Sequence, residues 1–587
     1  MSYRHTHGAR LVAHDVTLFS LWAPDARQVD VELEDGSTHG LKAANEGWYH
    51  AQVRCGAGTG YRFFVDQKWR VPDPASRSQR EDLHGLSQVV DHDTYTWQTS
   101  SWTGRPWHES IICEIHVGLL GGFRGVTSYL PYFRELGITA LQLMPVAQFP
   151  GARNWGYDGA LLYAPHSAYG TPEDLKALID AAHAHEIMIF LDMVYNHFGP
   201  EGNYLGHYAS EYFCPDRPTP WGAAINFQRP QVRDFFVENA LMWLQDYRVD
   251  GLRFDAVHAI TDTDFLVDLA LQVRESVDPQ RHTHLIVENE RNAAGLLECG
   301  FDAQWNDDGH HILHTILTGE RDGYYADFSD DKTGKLAKFL SEGFIYQGNT
   351  LGDGTPRGEP SAHLSATSFV MFLQNHDQIG NRAFGERLLT LAPEDKLTAA
   401  VALLLLSPMV PMIFMGEECG SRHPFLYFTD HHEDLAKAVR EGRAREFGKF
   451  QQFAGREREL PDPNAEETFN SSRPYRLPPF DGDVCAQGDP SWYRLYRELL
   501  MLRRTHIMPW LTNARSGGAT RLGEHAVAAS WLLDGDRVLR VHVNLGDTRV
   551  PFTAPEPQEE TLFSFGLDPL TRHMTPGSII VRLQEAE

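Results

Sequence analysis

Hydrophobic and polar positions change their rhythm twice along the chain. Over residues 1 to about 105 they alternate in short runs bounded by Gly, Pro and Asp, as in LFSLWAP, QVDVELED and GYRFFVD. From about residue 110 short apolar runs are followed by longer helical patterns, and after about residue 513 short alternating runs such as VLRVHVNL return. Alternation with a period of two is typical of β-strands, so both ends of the chain predict β-domains.

The middle of the chain predicts a barrel. Eight buried strands alternating with helices favour a parallel (β/α)8 barrel over an open doubly wound sheet, and no GxGxxG motif follows the first strand. We therefore predict an α/β fold class: a (β/α)8 TIM barrel over 106–512, an N-terminal β-sandwich over 1–105 and a C-terminal β-sheet domain over 513–587. The eight predicted strands are IICEIHVG, ITALQLMPV, IMIFLDMVYNH, VDGLRFDAV, HLIVENE, FDAQWND, SFVMFLQNHDQ and PMIFMGEE.

Three other stretches carry specific expectations. Residues 199–227 lack periodicity and predict a loop excursion after the third strand, and residues 419–490 predict a long polar insertion in which PDPNAEETFNSSRPYRLPPFDGD is loosely ordered. The apolar run AAVALLLLSPMVPMIFM is interrupted by Ser407, Pro408 and Pro411. We interpret it as a buried helix, a turn and a buried strand, because an uninterrupted run would be needed to span a membrane.

Charge and cysteine usage narrow the class of protein. Asp and Glu outnumber Lys and Arg by 79 to 52, a net charge of −27, which disfavours nucleic acid as a partner. The six cysteines form no CxxC pair, which argues against a zinc site or a disulfide framework and favours a reducing compartment. The N-terminal residues lack the apolar region of a signal peptide, so we expect a cytoplasmic protein that does not enter a membrane.

Polar side chains gather where four of the predicted strands end. Catalytic groups of such barrels come from the carboxyl ends of the strands, where packing alone would favour Val, Ile and Leu. Any one of these residues could be a capping or hydrogen-bonded core group, but four clusters at four equivalent ends are hard to explain by packing, because buried charge is costly. The clusters are Asp192, Asn196 and His197; Arg253, Asp255 and His258; Glu288 and Glu290; and His376 and Asp377.

Carboxylates around one barrel mouth suit the cleavage of a glycosidic bond. One carboxylate attacks the anomeric carbon, and a second, kept protonated, gives its proton to the leaving oxygen. Arg253 and Asp255 lie two apart and hence on one face of a strand, so the guanidinium would keep this carboxylate ionised. His197 and His376 could donate hydrogen bonds to sugar hydroxyls. No metal site is predicted, since no second His or Cys accompanies them at ligand spacing.

Four of these stretches, DMVYNH, GLRFDAVHA, IVEN and FLQNHD, resemble in order the four signature regions of the alpha-amylase superfamily of glycoside hydrolases. The resemblance implies a retaining mechanism without a cofactor. It makes Asp255 the nucleophile, Glu288 the general acid/base and Asp377 the stabiliser of the transition state. It further implies that Arg253, His197, His376, His258 and Asn381 bind the sugar at the cleavage point and that Asp192 supports this site.

Further stretches resemble one group within that superfamily, the maltooligosyltrehalose trehalohydrolases: NWGYDGALLYAPHSAYG, DAQWNDDGHH, FLQNHDQIGNRAFGER and FTDHHEDLAKAVREGRAREF. This implies hydrolysis of the α-1,4 bond next to the terminal trehalose unit of maltooligosyltrehalose, with Tyr157 stacking on the sugar. Asp308 and His311 are weaker site candidates, because WNDDGHH could equally shape only the loop after strand six. Cys419, after MGEE, stands where the resemblance leads us to expect Trp or Tyr.

Two alternatives stay open. An α-glucan branching or debranching enzyme would use the same three carboxylates, and FSLWAPDARQVDVEL resembles the N-terminal module of those enzymes. A non-catalytic glucan-binding protein should lack at least one of the three, and none is missing. A trehalose-releasing activity also implies a partner enzyme that first converts the reducing end of a maltooligosaccharide into trehalose.

Overall fold

Eight parallel strands close into a barrel in the order of the sequence. The computed structural model describes residues 6–219, 222–350, 354–447, 459–478, 484–485, 488–552, 558–568 and 572–585. The strands are mainly apolar because the helices cover one face and the barrel core the other. The strands are β1 (Ile112–Ile115), β2 (Ala140–Leu143), β3 (Met188–Met193), β4 (Gly251–Phe254), β5 (His284–Glu288), β6 (Ala303–Trp305), β7 (Phe369–Met371) and β8 (Val410–Phe414).

All eight predicted strands are confirmed. Large side chains fill the barrel interior, among them Phe190, Trp305 and Phe372, all fully or almost fully buried, so the barrel is a packed core and not a pore. Charged side chains such as Asp192 and Arg253 interrupt this packing toward the carboxyl ends of the strands. Catalytic groups of such barrels are expected at these ends.

The helices begin where the sequence supplies start signals. Thr171 caps α2 in a capping box with Asp174, and prolines occupy the first turns of α2 and α3. The helices are α1 (Gly122–Leu136), α2 (Pro172–Ala184), α3 (Pro230–Gln245), α4 (Thr263–Ser276), α5 (Ala294–Glu298), α6 (Asp307–Thr318), α7 (Lys332–Glu342), α8 (His376–Gly380), α9 (Leu388–Leu391), α10 (Glu394–Leu406), α11 (Glu433–Phe447), α12 (Glu466–Ser471) and α13 (Pro490–Leu502).

The N-terminal region forms the predicted sandwich of two antiparallel sheets. Phe19 of one sheet packs edge-on against Tyr61 of the other, with ring centroids 4.8 Å apart. The module rests on the barrel through the loop after β3, where Trp69 stacks on His207 at 4.1 Å. One sheet contains Gly8–Ala13, Val16–Trp22, Lys42–Ala43 and Trp48–Val53; the other contains Val29–Leu33, Thr38–Gly40, Gly60–Val65, Trp69–Val71 and Ser87–Gln88.

The C-terminal region forms the predicted β-domain, which packs on α7 and α10. The apolar run before it is a helix, a turn and a strand, as predicted: α10 leads into β8 through a turn that the buried Arg503 holds by donating to the carbonyls of Ser407 and Met409. The sheet contains Arg515–Gly523, Ala526–Leu533, Arg537–Asn544, Val550–Pro551, Glu559–Asp568 and His573–Gln584.

Two loop predictions were wrong in part. The excursion after β3 contains a hairpin of Phe213–Thr219 and Gly222–Ile225, which the lack of periodicity did not indicate. The tract expected to be loosely ordered contains α12, and Phe469 and Tyr475 within it are buried. The residues of this tract at 479–483 lie outside the described residues. Buried aromatics anchor both segments, and their partners are distant in the sequence.

The cysteine prediction also needs correction. Cys419 and Cys485 form a disulfide that closes a segment with a sequence separation of 66. Cys419 stands at the position where an aromatic side chain was expected. It is buried, and Tyr132 Oη lies 3.2 Å from its Sγ. Cys55, Cys113, Cys214 and Cys299 are free thiols. Within the described ranges, no helix is both long and apolar enough to cross a bilayer.

Candidate active site

Arg253 is the centre of the polar cluster at the barrel mouth. The register of β3 and β4 sets it directly opposite Asp192, and its side chain is fully buried. Nη1 donates to Asp192 Oδ1 at 2.7 Å and to Asp255 Oδ1 at 2.9 Å, while Nη2 donates to Glu288 Oε2 at 2.6 Å. The guanidinium also lies over the Trp305 ring, 4.0 Å from its centroid. One cation thus joins carboxylates from three successive strands.

Asp255 is held as an ionised group. Its Oδ2 accepts a hydrogen bond of 2.7 Å from Asn196 Nδ2, and its Oδ1 faces Arg253. Burial would raise the pKa of Asp255, but the charge of Arg253 and the bond from Asn196 outweigh it and lower the pKa. The side chain keeps 13% of its surface exposed, so it can reach a bound molecule. An ionised, accessible carboxylate suits a nucleophile.

The pKa of Glu288 is shifted in the opposite direction. Burial raises its pKa well above the usual value; Arg253 opposes this shift and the negative charge of Asp255 adds to it. Its Oε2 also accepts a bond of 2.9 Å from the backbone N–H of Ala256, whose φ of +42° is unusual for a residue other than glycine. The strained turn after β4 therefore places the Ala256 N–H group within hydrogen-bond distance of Glu288. A carboxyl group whose protonated form is favoured suits a general acid.

Asp377 faces the same space from the first turn of α8. Its side chain is 41% exposed, and Asn381 Nδ2 donates to its Oδ1 at 3.3 Å. The helix begins with a capping box in which Asn375 and Gln378 bind each other's backbone N–H groups. This cap fixes Asp377 at the start of the helix, where the backbone N–H groups favour a negative charge.

His376 is fixed in its charged form. Its Nδ1 lies 2.6 Å from Glu114 Oε1, and its ring stacks on Tyr157 with centroids 5.0 Å apart. Burial would lower the pKa of His376, but the negative charge of Glu114 outweighs it and raises the pKa to about 9. Glu114 comes from β1 and is fully buried. Glu114 was not among the residues predicted from the sequence, although a glutamate inside the apolar run IICEIHVG was a usable signal.

The remaining predicted residues near this centre are Tyr157, His197 and His258. Tyr157 Oη donates to Asp192 Oδ2 at 2.8 Å, and its backbone carbonyl accepts from His197 Nε2 at 3.0 Å. His258 lies just after β4, and its Nδ1 accepts from the backbone N–H of Glu290 at 3.4 Å. The structure thus links Tyr157 and His197 to the Asp192 side of the cluster, while His258 lies beside the loop that follows β5.

Asp308 does not face this space and is no longer assigned to sugar binding. Its fully buried carboxylate accepts from Asn292 Nδ2 at 2.8 Å, from Arg357 Nη2 at 2.8 Å and from the backbone N–H groups of Ile345 and Tyr346 at 2.8 and 3.0 Å. These four bonds use its acceptor capacity. The carboxylate therefore holds three loop segments together.

His311 packs away from the cluster as well. It stacks on Phe328 with centroids 4.9 Å apart, and burial lowers its pKa to about 3, so it is neutral. Asp307, one residue before Asp308, is the acidic group that faces Asp377. Burial, and next the charge of Asp377, raises the pKa of Asp307 to about 7. Asp307 was not among the residues predicted from the sequence.

Comparisons with known proteins identify the family of the chain. Residues 80–219 match the model "Alpha amylase, catalytic domain", and residues 514–581 match "Domain of unknown function (DUF3459)". The chain is 40% identical to a malto-oligosyltrehalose trehalohydrolase of Deinococcus radiodurans, over 92% of this chain and 90% of that protein. It is 39% identical to one of Saccharolobus solfataricus, over 80% and 83%.

The chain belongs to the malto-oligosyltrehalose trehalohydrolase family.

Membership of this trehalohydrolase family confirms the resemblance drawn from the sequence and makes the chain a glycoside hydrolase. Among solved structures, "Putative alpha Amylase from Salmonella typhimurium" is 42% identical with a TM-score of 0.91, covering 99% of this chain and all of that one. A pullulanase from Paenibacillus barengoltzii, 19% identical with a TM-score of 0.72, covering 100% of this chain and 96% of that one, shares the fold.

Proposed function

We propose that this chain hydrolyses the α-1,4-glucosidic bond next to the terminal trehalose of maltooligosyltrehalose, with retention of configuration, and releases trehalose. One observation carries the chemistry: Arg253 binds Asp255 and Glu288 through its two terminal nitrogens, and the pKa values of the two carboxyl groups are shifted in opposite directions. Two carboxyl groups with opposite shifts can divide the roles of nucleophile and acid. The names of the relatives support the substrate.

The first step follows from these positions. Asp255 attacks the anomeric carbon and forms a glycosyl-enzyme ester, while Glu288 gives its proton to the departing oxygen. In the second step Glu288, now ionised, takes a proton from water, and the water displaces Asp255. A shared guanidinium favours the short separation of about 5–5.5 Å that retaining enzymes use over the 6.5–9.5 Å of inverting ones.

The sugar at the cleavage point would be held from two sides. His376, charged and rigid against Glu114, offers Nε2 as a hydrogen-bond donor toward the side on which Asp377 lies, 3.6 Å from Asp377 Oδ1. Tyr157 presents a ring that is already stacked on His376. Asn381 and Asp377 would bind hydroxyl groups that become more polar in the transition state. Asp192 supports Arg253 and Tyr157 without contacting the substrate.

The test compares two substrates. Maltooligosyltrehalose and a plain maltooligosaccharide of the same length are incubated with the purified chain, and trehalose and other products are separated and quantified. We expect strong release of trehalose and little attack on the plain chain, with Asp255→Asn as an inactive control that still binds substrate. Comparable cleavage of both, or new branch points without trehalose, would assign the chain to a sister activity. Products of inverted configuration would rule out the two-step mechanism.

Two further parts of the proposal concern the setting of the reaction. The substrate carries a trehalose end, so an enzyme that converts the reducing end of a maltooligosaccharide must act first. Its addition to the plain maltooligosaccharide assay should restore trehalose release. A cytoplasmic location stays a prediction: the four free cysteines support it, and the Cys419–Cys485 disulfide weighs against it.

A further inference from the structure

Three side chains that could bind a metal ion converge outside the active site. They are His84, Glu201 and His432, and one ligand atom of each lies within 4.8 Å of the other two. His84 Nε2 lies 3.1 Å from Glu201 Oε1, and His432 Nδ1 lies 2.5 Å from the same oxygen. Over the part of the chain that the structure describes, this is the one group of three or more His, Cys, Asp or Glu residues with such geometry.

The three residues come from three segments that are fixed by other contacts. His84 follows Leu83, a fully buried residue of the N-terminal region that packs against Gly202 of the loop after β3. A Cβ at Gly202 would lie 2.1 Å from Leu83 Cδ2, and its φ is +83°, so only glycine permits this close approach. The loop carrying Glu201 is thereby held against the segment carrying His84.

The third segment, just before α11, is held in a similar way. Asp430 accepts a hydrogen bond of 2.6 Å from Arg153, and His431 Nε2 lies 3.3 Å from Asp158 Oδ2. These contacts tie the residues before His432 to the loop that also carries Tyr157. The ligand atoms are therefore brought together by packing that does not depend on them, as a preformed metal site requires.

The chemistry of the three atoms points to a class of ion. Two imidazole nitrogens and one carboxylate oxygen form a ligand set used by Zn²⁺ and similar transition ions, whereas Ca²⁺ and Mg²⁺ prefer oxygen ligands only. His84 Nδ1 lies 2.7 Å from Tyr204 Oη, so the ring has a partner that orients it from the other side. Such an outer partner is typical of histidines that bind metals. A metal ion would replace the protons on the two nitrogens that face Glu201.

We propose that His84 Nε2, Glu201 Oε1 and His432 Nδ1 form a binding site for one divalent transition ion of the Zn²⁺ class, with water in the remaining position. The site joins the N-terminal region, the loop after β3 and the segment before α11, and Glu201 is four residues beyond His197 in the active site. The inference is independent of the proposed reaction, because it concerns binding and not catalysis.

The test uses the full-length chain after treatment with EDTA. ZnCl2 is titrated into the protein by calorimetry, and the bound metal is counted after dialysis. We expect one Zn²⁺ per chain with micromolar or tighter affinity and a higher melting temperature in the presence of Zn²⁺. His84→Gln and His432→Gln should each weaken binding by at least about 100-fold, as expected when one of three ligands is lost.

The matched control is His363→Gln. His363 is also an exposed histidine paired with a glutamate, at 2.9 Å from Glu298, but no third ligand accompanies them among the residues that the structure describes. It should bind Zn²⁺ like the wild type. Equal binding by the wild type, His84→Gln and His432→Gln would place the ion elsewhere and overturn the proposal, and so would the absence of stoichiometric binding. Displacement of Zn²⁺ by a modest excess of Ca²⁺ would overturn the assigned class.

A second variant separates a built site from two neighbouring surface histidines. Tyr204→Phe removes only the hydroxyl group that orients the His84 ring and leaves all three ligands in place. We expect a loss of affinity of about 10- to 100-fold, as is usual for outer partners of metal-binding histidines. Unchanged affinity in this variant would contradict the oriented site. Circular dichroism of each variant verifies that these substitutions leave the fold intact.

Discussion

Arg253 shows how one residue assigns different roles to neighbours of the same chemical type. Asp255 has a second donor, Asn196, and some exposure, so its ionised form is favoured. Glu288 also contacts Arg253, but burial and the adjacent Asp255 charge dominate its pKa. The difference between the two carboxyl groups is set by environment and not by residue type.

Glu288→Gln tests the acid role. The variant should lose about 10²- to 10⁴-fold in kcat on the natural linkage, which is the usual contribution of a general acid. The loss should be much smaller on an aryl glycoside with an activated leaving group, because that group needs little protonation. Steady-state rates on both substrates measure this. Glu290→Gln, which changes the exposed glutamate two residues further along, serves as the control. Equal losses of Glu288→Gln on both substrates would contradict the acid role.

The opposite pKa shifts also predict the pH dependence. Asp255 must be ionised, and its lowered pKa places the acid limb below the usual aspartate value of about 3.9. Glu288 must be protonated, and its raised pKa places the alkaline limb above the usual glutamate value of about 4.3. Activity should thus rise through the first pKa and fall through the second. The pH profile of kcat/KM checks this when the wild type and Glu288→Gln are compared on the activated substrate. The variant should lose the alkaline limb.

Glu114→Gln tests a positioning residue. The change removes the charge that raises the pKa of His376 to about 9, so His376 should become neutral near pH 7. Leaving a buried group poorly paired costs about 1–3 kcal/mol, which corresponds to about 5- to 150-fold in kcat/KM. The loss should be smaller at low pH, where His376 is protonated again.

The matched control for this variant is Glu238→Gln. Glu238 is another buried glutamate paired with a histidine, His7, at 3.0 Å, but it joins α3 to the N-terminal region. It should lower the melting temperature and leave kcat/KM nearly unchanged. Identical pH profiles for Glu114→Gln and the wild type would show that His376 does not depend on Glu114.

The active-site residues on strands could be predicted from the sequence better than those on helices. Asp192, Arg253 and Glu288 follow from alternation along strands whose ends share one edge. Asp307 and Asp308 open a helix, where adjacent residues point about 100° apart, so one faces the cleft and the other the interior. The tract WNDDGHH does not indicate which is which. Glu114 was missed because a lone charge in a buried strand is more often structural.

At the scale of elements, the periodicity of the barrel was a reliable guide. The eight strands and the longer helices follow from local patterns and start signals, which need no knowledge of distant contacts. Helix α12 depends instead on buried aromatics such as Phe469, whose partner His116 is far away in the sequence. The hairpin at Phe213–Thr219 follows the buried Tyr212, which packs on the equally distant Trp22. Segments whose order comes from tertiary packing carry little local signal.

Gly380 in α8 is an element-scale test of the active-site wall. A Cβ there would lie 2.0 Å from Trp155 Cζ2, and Trp155 is stacked on Phe425 behind His376. Gly380→Ala should therefore destabilise the chain by about 1–3 kcal/mol through overpacking and shift α8, with lower kcat. Thermal unfolding and steady-state rates measure both.

Gly442 in α11 provides the matched control, because a Cβ there meets no atom within 4 Å. Gly442→Ala should be neutral or stabilising by up to about 1 kcal/mol, since alanine favours a helix interior. An unchanged melting temperature for Gly380→Ala would show that α8 and Trp155 can separate without cost, contrary to the tight packing in the structure.

At the scale of the whole molecule, the barrel and the C-terminal sheet share α10. This helix is buried along most of its length and packs on both the sheet and α13, and Lys396 Nζ reaches Asp547 Oδ1 at 2.7 Å. Arg521 reaches Asp331 across the same interface at 2.7 Å. We expect the two parts to unfold in one calorimetric transition, because losing the sheet would expose an apolar helix. Two separate transitions would show that the sheet is an independent unit.

At this scale, contacts between residues distant in the sequence were the hardest to predict. The domain limits at 105 and 512 remain predictions. The spacing of six scattered cysteines gave no sign of the Cys419–Cys485 pair, since their approach depends on the whole path of the insertion. The same holds for His84, Glu201 and His432, which share no motif.

The Cys419–Cys485 disulfide affects how proteolytic cleavage of the insertion would be detected by gel electrophoresis. A protease that cuts once anywhere between these cysteines divides the backbone, yet the two pieces stay joined through the sulfur atoms. On a denaturing gel without reductant the nicked chain would run as one species, and with reductant it would separate into two fragments. A preparation judged intact without reductant could therefore contain molecules whose insertion is already cleaved.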